Sequence, residues 1–246
     1  MLPAINLGNF VLPTGGLIYI LGAYIVLSMV ERAAKRRGMN PETMYGLAST
    51  GLLAGVIGAR LTFVGVYWSS FQENLLSIIW PLNTGYNVWG GLVFGLAAAF
   101  FYGRNYQLPL MKTVDVLSLG LLTSLIVVSL ADFFAGPGYG SLTTVPWGIN
   151  FFGVQRHPVQ LYEILLAVEA IIIWFQLARR TTFDGQLFLA TTAVYAFGRL
   201  FLDSFRGNAW ITADGWHGLQ IIALLITVGC LLFLARQQSS SNKLQA

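Results

Sequence analysis

Eight consecutive residues, Arg156-His157-Pro158-Val159-Gln160-Leu161-Tyr162-Glu163, set a guanidinium, an imidazole, an amide, a phenol and a carboxylate at the head of an apolar run. A second group, Arg199, Asp203 and Arg206, is spaced i, i+4, i+7 in another apolar run, and that spacing predicts a shared helix face. Arg60 and Asp132 stand in two further apolar runs. Ionisable side chains in such surroundings are costly, so each has a partner or a task. One task is anion binding. Arginine's planar fork grips phosphate bidentately and keeps its charge, so Arg60, Arg156, Arg199 and Arg206 outweigh Asp132, Glu163 and Asp203 as a cationic seat for an anionic head group. His157 adds a general base or acid. The alternative is mutual neutralisation, with Arg199 on Asp203 and Arg60 on Asp132 or Glu163 as ion pairs that only hold helices together. His217, in the Trp-rich stretch Asp214-Gly215-Trp216-His217-Gly218, reads as an interfacial anchor. Glu169 stands midway along its apolar run, and the sequence assigns it no partner.

The elements that position these groups follow from composition. The 246 residues are 56% hydrophobic and only 10% charged, where a soluble domain carries about 25% charge. Mean hydropathy is +0.67. That balance excludes a cytosolic enzyme and a disordered chain. The net charge of +4 does not indicate a nucleic-acid partner, because the basic residues fall between apolar segments. The lone Cys230 excludes an internal disulfide and indicates no thiol-metal site. A membrane helix needs about 20 apolar residues, and candidates run over 12–30, 45–68, 88–103, 114–134, 160–178, 186–205 and 219–235. The expectation is an all-α, polytopic bundle of about seven transmembrane helices in one domain over 1–246, with a polar cytoplasmic tail at 236–246. The first run lacks a basic lead and a cleavage site, so it reads as a helix and not a removed signal. Arg32, Lys35, Arg36, Arg37, Arg104, Lys112, Arg179, Arg180, Arg236 and Lys243 all fall on one side, which the positive-inside rule makes cytoplasmic, giving an N-out, C-in chain. That leaves Arg60, Arg156, Arg199 and Arg206 on the outer side. Asp115 is expected at the cytoplasmic start of span four, where a carboxylate favours the helix N-terminus. Gly51, Gly55 and Ala59, and likewise Gly91, Gly95 and Ala99, recur every four residues and mark close helix contacts. The outer loops are aromatic (Tyr67, Trp68, Phe71 and Trp80; Tyr139, Trp147, Phe151 and Phe152), as at membrane interfaces. The run Ala135-Gly136-Pro137-Gly138-Tyr139-Gly140 cannot be regular helix.

The octapeptide 156–163 closely resembles the R-H-P-x-Q-L-Y-E motif of the prolipoprotein diacylglyceryl transferase family. Gly58-Ala59-Arg60 is similar to the family's G-G/A-R, and Asn87-Val88-Trp89-Gly90-Gly91-Leu92 resembles the segment around its H-G-G-L, with Trp89 in the histidine's place. Arg199, Asp203 and Arg206 resemble its F-R-x-x-x-E-x-x-R, with Gly198 replacing the aromatic. The family's G-R-x-G-N-F-x-N-x-E reads here as Val128 to Pro137: its arginine is Ser129, its asparagines Asp132 and Ala135, its glutamate Pro137. Gly15 stands where the family has a tyrosine in span one. The resemblance implies transfer of diacylglyceryl from phosphatidylglycerol to the lipobox cysteine of a prolipoprotein, at the outer face of the plasma membrane, without metal or cofactor. It implies His157, Arg199 and Glu163 as catalytic, and Arg60, Asn87, Asp132, Arg156, Gln160, Tyr162, Asp203 and Arg206 as substrate-binding. Arg60, Arg156 or Arg206 would replace the span-four arginine, and His157 would supply the base. The implied partners are phosphatidylglycerol, other membrane lipids and the prolipoprotein signal-peptide region. Two further readings stay open: a lipid-head-group-binding protein on the same scaffold without catalysis, and a transferase with another acceptor.

Overall fold

The computed structural model describes residues 4–7, 10–79, 85–151 and 153–245. Trp80 and Phe152 lie outside the described residues. In chain order the elements are a hairpin of β1 (Ala4–Leu7) and β2 (Phe10–Pro13), then α1 (Thr14–Arg37), α2 (Pro41–Val66), the single turn α3 (Leu76–Ile79), α4 (Val88–Asn105) and α5 (Leu110–Ala135). A second hairpin, β3 (Ile149–Phe151) with β4 (Val154–Arg156), leads into α6 (Val159–Leu177), α7 (Gln186–Leu202) and α8 (Gly218–Gln245). Every apolar segment read from the sequence falls on a helix. Among the described residues, five helices are long and apolar enough to cross a membrane: α1, α2, α5, α6 and the 218–237 part of α8. The other two are shorter. α4 has 18 residues and ends in Arg104-Asn105. α7 has 17 residues, about 26 Å at 1.5 Å per residue, against a hydrocarbon core of about 30 Å.

Several boundaries differ from the sequence reading, and three of them have a clear local reason. Leu12 and Pro13 belong to β2, paired with Ile5 and Ala4, so α1 starts only at Thr14. α5 starts at Leu110, directly after Pro109, whose carbonyl accepts from Thr113 N. Asp115 is therefore more than a turn inside α5, and its carboxylate serves another helix: Oδ2 accepts from Gly185 N and Oδ1 from Phe188 N, both at 2.9 Å, capping α7. α7 ends at Leu202, short of the Phe205 expected. Asp203–Phe205 tightens into a 3-10 turn, and Arg206 is extended at φ −79°, ψ 132°. The chain leaves the helix because Phe205 O accepts from Ser141 N at 2.7 Å and Gly207 N donates to Tyr139 O at 3.0 Å. Arg206 thus does not share a helix face with Arg199 and Asp203. The α8 backbone stays helical through 236–245, where the sequence suggested only a polar tail.

The chain forms two compact units, Val30–Thr113 and Met1–Met29 with Val114–Ala246. In the first, the two small-residue stripes meet. A methyl built on Gly95 would lie 2.9 Å from the Gly51 carbonyl oxygen, and one on Gly91 would lie 3.1 Å from that of Gly55, so α2 and α4 touch backbone to backbone. Both helices are capped by asparagine: Asn40 Oδ1 accepts from Thr43 N at 3.0 Å, and Asn87 Oδ1 from Gly90 N at 2.9 Å. In the second unit, the fully buried Trp174 of α6 donates Nε1–H to Ser118 Oγ and the Asp115 carbonyl of α5, at 2.9 and 3.1 Å. Gln220 pins α8 to α7, donating to the Leu200 carbonyl and to Ser204 Oγ at 2.8 and 2.7 Å.

Candidate functional site

The second unit carries the ionisable cluster. Its centre is Glu163, on the second turn of α6 and only 8% exposed. Glu163 Oε1 is hydrogen-bonded by Arg199 Nη1 of α7, with Arg206 Nη1 at 3.6 Å, and Oε2 accepts from Ser129 Oγ of α5 at 3.1 Å. The buried carboxylate is thus satisfied by two cations and a hydroxyl from three separate segments, which is what removal from water demands. Arg206 Nε is buried without a hydrogen-bond partner. A guanidinium offers five N–H donors, so each arginine keeps donors for a second anion.

A strap over residues 136–143 holds this cluster in place. It begins where α5 stops, and Gly138 turns with φ +68°. A side chain there would also be strained for space, since its first carbon would lie 3.3 Å from Arg206 Nη2 and 3.5 Å from Asp132 Oδ2. Those two distances place the half-buried Asp132 carboxylate and the Arg206 guanidinium against the same glycine. Ser141 then joins both sides of the site: its N–H bonds Phe205 O, and its carbonyl accepts from His157 N at 3.0 Å. Arg156 Nη1 donates to Gly140 O at 3.1 Å, with its guanidinium 4.6 Å from the Tyr139 ring. Gln160, fully buried, donates to Pro137 O at 3.1 Å, and its Oε1 has no hydrogen-bond partner.

His157 faces Tyr162, with Nδ1 3.3 Å from the phenol oxygen, which itself accepts from Trp147 Nε1 at 2.8 Å. The imidazole packs on Phe205, centroids 4.9 Å apart. Asp203 does not pair with Arg199. Its buried carboxylate contacts His217 instead, Oδ2 to Nδ1 at 3.2 Å, while Oδ1 has no hydrogen-bond partner. In place of the Arg199–Asp203 ion pair of the alternative reading, the partners are Arg199–Glu163 and Asp203–His217. Arg199 also forms part of the wall of a cavity of about 320 Å³ whose other walls are mainly apolar side chains of α5, α7 and α8, Leu122, Ala196 and Ile222 among them, with the hydroxyls of Ser118, Thr191, Thr192 and Tyr195. That volume is within the range of small-molecule sites, about 300–1,000 Å³.

The structure brings together Gln160, Tyr162 and Glu163 on α6, Arg156 and His157 before it, Arg199 on α7, Asp203 and Arg206 just past its end, and Asp132 on α5. The first unit holds the other two residues named from the sequence, and there their polar groups are committed locally. Arg60, 8% exposed, donates Nε–H to Ile78 O at 2.8 Å, Nη1 to Gly85 O at 3.2 Å and Nη2 to Ser77 O, with Phe71 5.0 Å from its guanidinium. Asn87 is the α4 cap, and its N–H bonds Ala59 O at 3.0 Å. Trp89, on the first turn of α4, is 78% exposed. Two members of the cluster escaped the sequence reading. Ser129 looked like a lost arginine, yet a hydroxyl in an apolar run was a signal in itself. His217 looked like an anchor because its carboxylate is remote in sequence. Glu169 is exposed on α6.

Comparison with known proteins identifies the family. A sequence profile described as Prolipoprotein diacylglyceryl transferase matches residues 3–236. A protein of Clostridioides difficile (strain 630) named phosphatidylglycerol--prolipoprotein diacylglyceryl transferase is 25% identical over 214 residues, covering 87% of this chain and 86% of the relative. Proteins of the same name from Enterococcus faecalis (strain ATCC 700802 / V583) and Frankia casuarinae are 23% and 27% identical, covering 92% and 96% of this chain and 86% and 60% of theirs. With nearly its whole length matched, the chain belongs to the prolipoprotein diacylglyceryl transferase family.

Proposed function

We propose that this chain transfers the diacylglyceryl group of phosphatidylglycerol to the lipobox cysteine thiol of a prolipoprotein, with release of glycerol phosphate. The observation that carries the reading is Arg199, bound on one side to Glu163 beside Arg206 and lining an apolar cavity on the other. A phospholipid has that same pattern, an anionic phosphate joined to hydrocarbon. In this reading the chain is one membrane domain over 1–246 with seven spans, α4 and α7 being the short ones. Its N-terminus faces out, its tail from Arg236 is cytoplasmic, and its site opens at the outer face of the plasma membrane.

The chemistry is a displacement at carbon. The thiolate sulfur bonds to the glyceryl carbon that carries the phosphate, the C–O bond breaks, and its electron pair leaves with glycerol phosphate, which gains a second negative charge. Fixed cations are needed where that charge develops, and Arg199 and Arg206 supply them without deprotonation. Glu163 sets their spacing. Of the three arginines proposed to replace the one lost at Ser129, Arg206 is best placed, because Ser129 and Arg206 meet the same carboxylate. Asp132, Arg156, Gln160, Tyr162 and His157 form the rim, with the buried Gln160 Oε1 open to a hydroxyl of the glycerol head group.

The test is intact-mass analysis of a prolipoprotein in cells depleted of their own transferase and supplied with this chain. A gain of one diacylglyceryl group, lost in Arg199→Ala, is the expected result. Phosphatidylglycerol binding without a gain on that acceptor would replace the proposal with a head-group-binding scaffold or another acceptor.

A further inference from the structure

The transfer needs a base for the thiol, which is only a few per cent ionised at pH 7. Imidazole is the side chain suited to that exchange near neutrality, and the chain has two histidines. They differ in what stands behind the ring. His157 Nδ1 faces the neutral phenol of Tyr162 at 3.3 Å. His217 Nδ1 faces a buried carboxylate, Asp203 Oδ2, at 3.2 Å. An ionised carboxylate only accepts hydrogen bonds, so it holds the proton on Nδ1 and leaves the Nε2 lone pair free, the arrangement by which a carboxylate orients a histidine base.

Its place in the fold fits the task. Asp203 N–H still bonds Arg199 O, so Asp203 lies one helical turn beyond Arg199. His217 immediately precedes α8, two residues before Leu219, which lines the same cavity as Arg199. Gln220 ties this end of α8 to Leu200 and Ser204, bracketing the dyad. The histidine side chain is 29% exposed and its carboxylate partner 1%, so the ring has an open side while the group that orients it does not.

We infer that His217 is the general base of the transfer and Asp203 its positioning residue, an inference that rests on the function proposed above. The lipobox S–H proton passes to His217 Nε2 as sulfur bonds to the glyceryl carbon. The C–O pair departs with glycerol phosphate, and the imidazolium returns its proton to that phosphate or to water. No oxidant, metal or further reactant enters the balance.

The experiment uses the full chain in detergent with phosphatidylglycerol and a synthetic lipobox peptide. Inactive wild-type protein would overturn the proposed function; the dyad is judged on active protein. His217→Gln is expected to lower kcat about a hundredfold or more, with KM for phosphatidylglycerol within about twofold. Added imidazole should restore His217→Ala at least about tenfold, because the free base replaces the missing one. Asp203→Asn should lower kcat and leave KM, since it removes the tautomer constraint. Turnover of His217→Gln within about threefold of wild type, well short of a general base's contribution, would overturn the inference. So would failure of imidazole to restore His217→Ala. Independently of any variant, the ¹⁵N spectrum of wild-type histidines should show His217 protonated on Nδ1 and bare on Nε2; the opposite tautomer would equally overturn it.

Discussion

Arg60 and Arg199 are both arginines held low in exposure inside an apolar helix, yet they do opposite things. Arg60 spends its fork on the carbonyls of Ser77, Ile78 and Gly85, fastening a loop to α2 within the unit 30–113. Arg199 meets a carboxylate that also contacts Arg206 and Ser129, and it borders a cavity. A guanidinium bound to backbone carbonyls is finished as a structural clamp. Two guanidiniums around one carboxylate keep a surplus of charge and donors for an incoming anion. The difference is in the partners, and residue type alone does not reveal it.

The contrast makes graded predictions. Arg199→Ala should reduce transfer about a thousandfold, since it deletes a donor aimed at developing charge, while Glu163 keeps Arg206 and Ser129 and the protein still folds; turnover and thermal denaturation in detergent measure both. Arg206→Gln should reduce turnover less, about ten- to a hundredfold, because one cation remains beside Glu163. Arg60→Ala should act first on stability, lowering it by about 2–4 kcal/mol as buried carbonyls lose charge-assisted bonds, seen as a fall in Tm; an unchanged Tm would erase the distinction between the two arginines. Trp147→Phe should be mildest, under about 1 kcal/mol for a partly exposed hydrogen bond to Tyr162, with turnover changed only a few-fold.

Much of this was legible in the sequence, and what was not has a physical cause. Apolar runs locate the helices because burial in lipid sets their length, and the octapeptide 156–163 with Arg199 and Arg206 marks the site. The pairing was not legible. Spacing i, i+4 places Arg199 near Asp203, but packing of α6 on α7 offers Glu163 to the arginine and the turn into α8 offers His217 to the aspartate. The end of α7 was obscured because Phe205 continues the apolar run while its carbonyl already bonds Ser141. Asp115 was misplaced for a similar reason: the donors it caps are about 70 residues away in sequence, beyond the reach of any local pattern.

The 17 residues of α7 carry one more consequence. In the seven-span arrangement proposed above, a helix about 4 Å shorter than the hydrocarbon core forces the surrounding lipid to thin, at a cost of fractions of a kcal/mol per Å. Thinning draws the outer phosphate plane inward, toward the end of the helix where Arg199 sits. Mismatch would then deliver the donor lipid's head group to the arginine before any contact is made, and transfer should slow in vesicles of longer-chain, thicker bilayers.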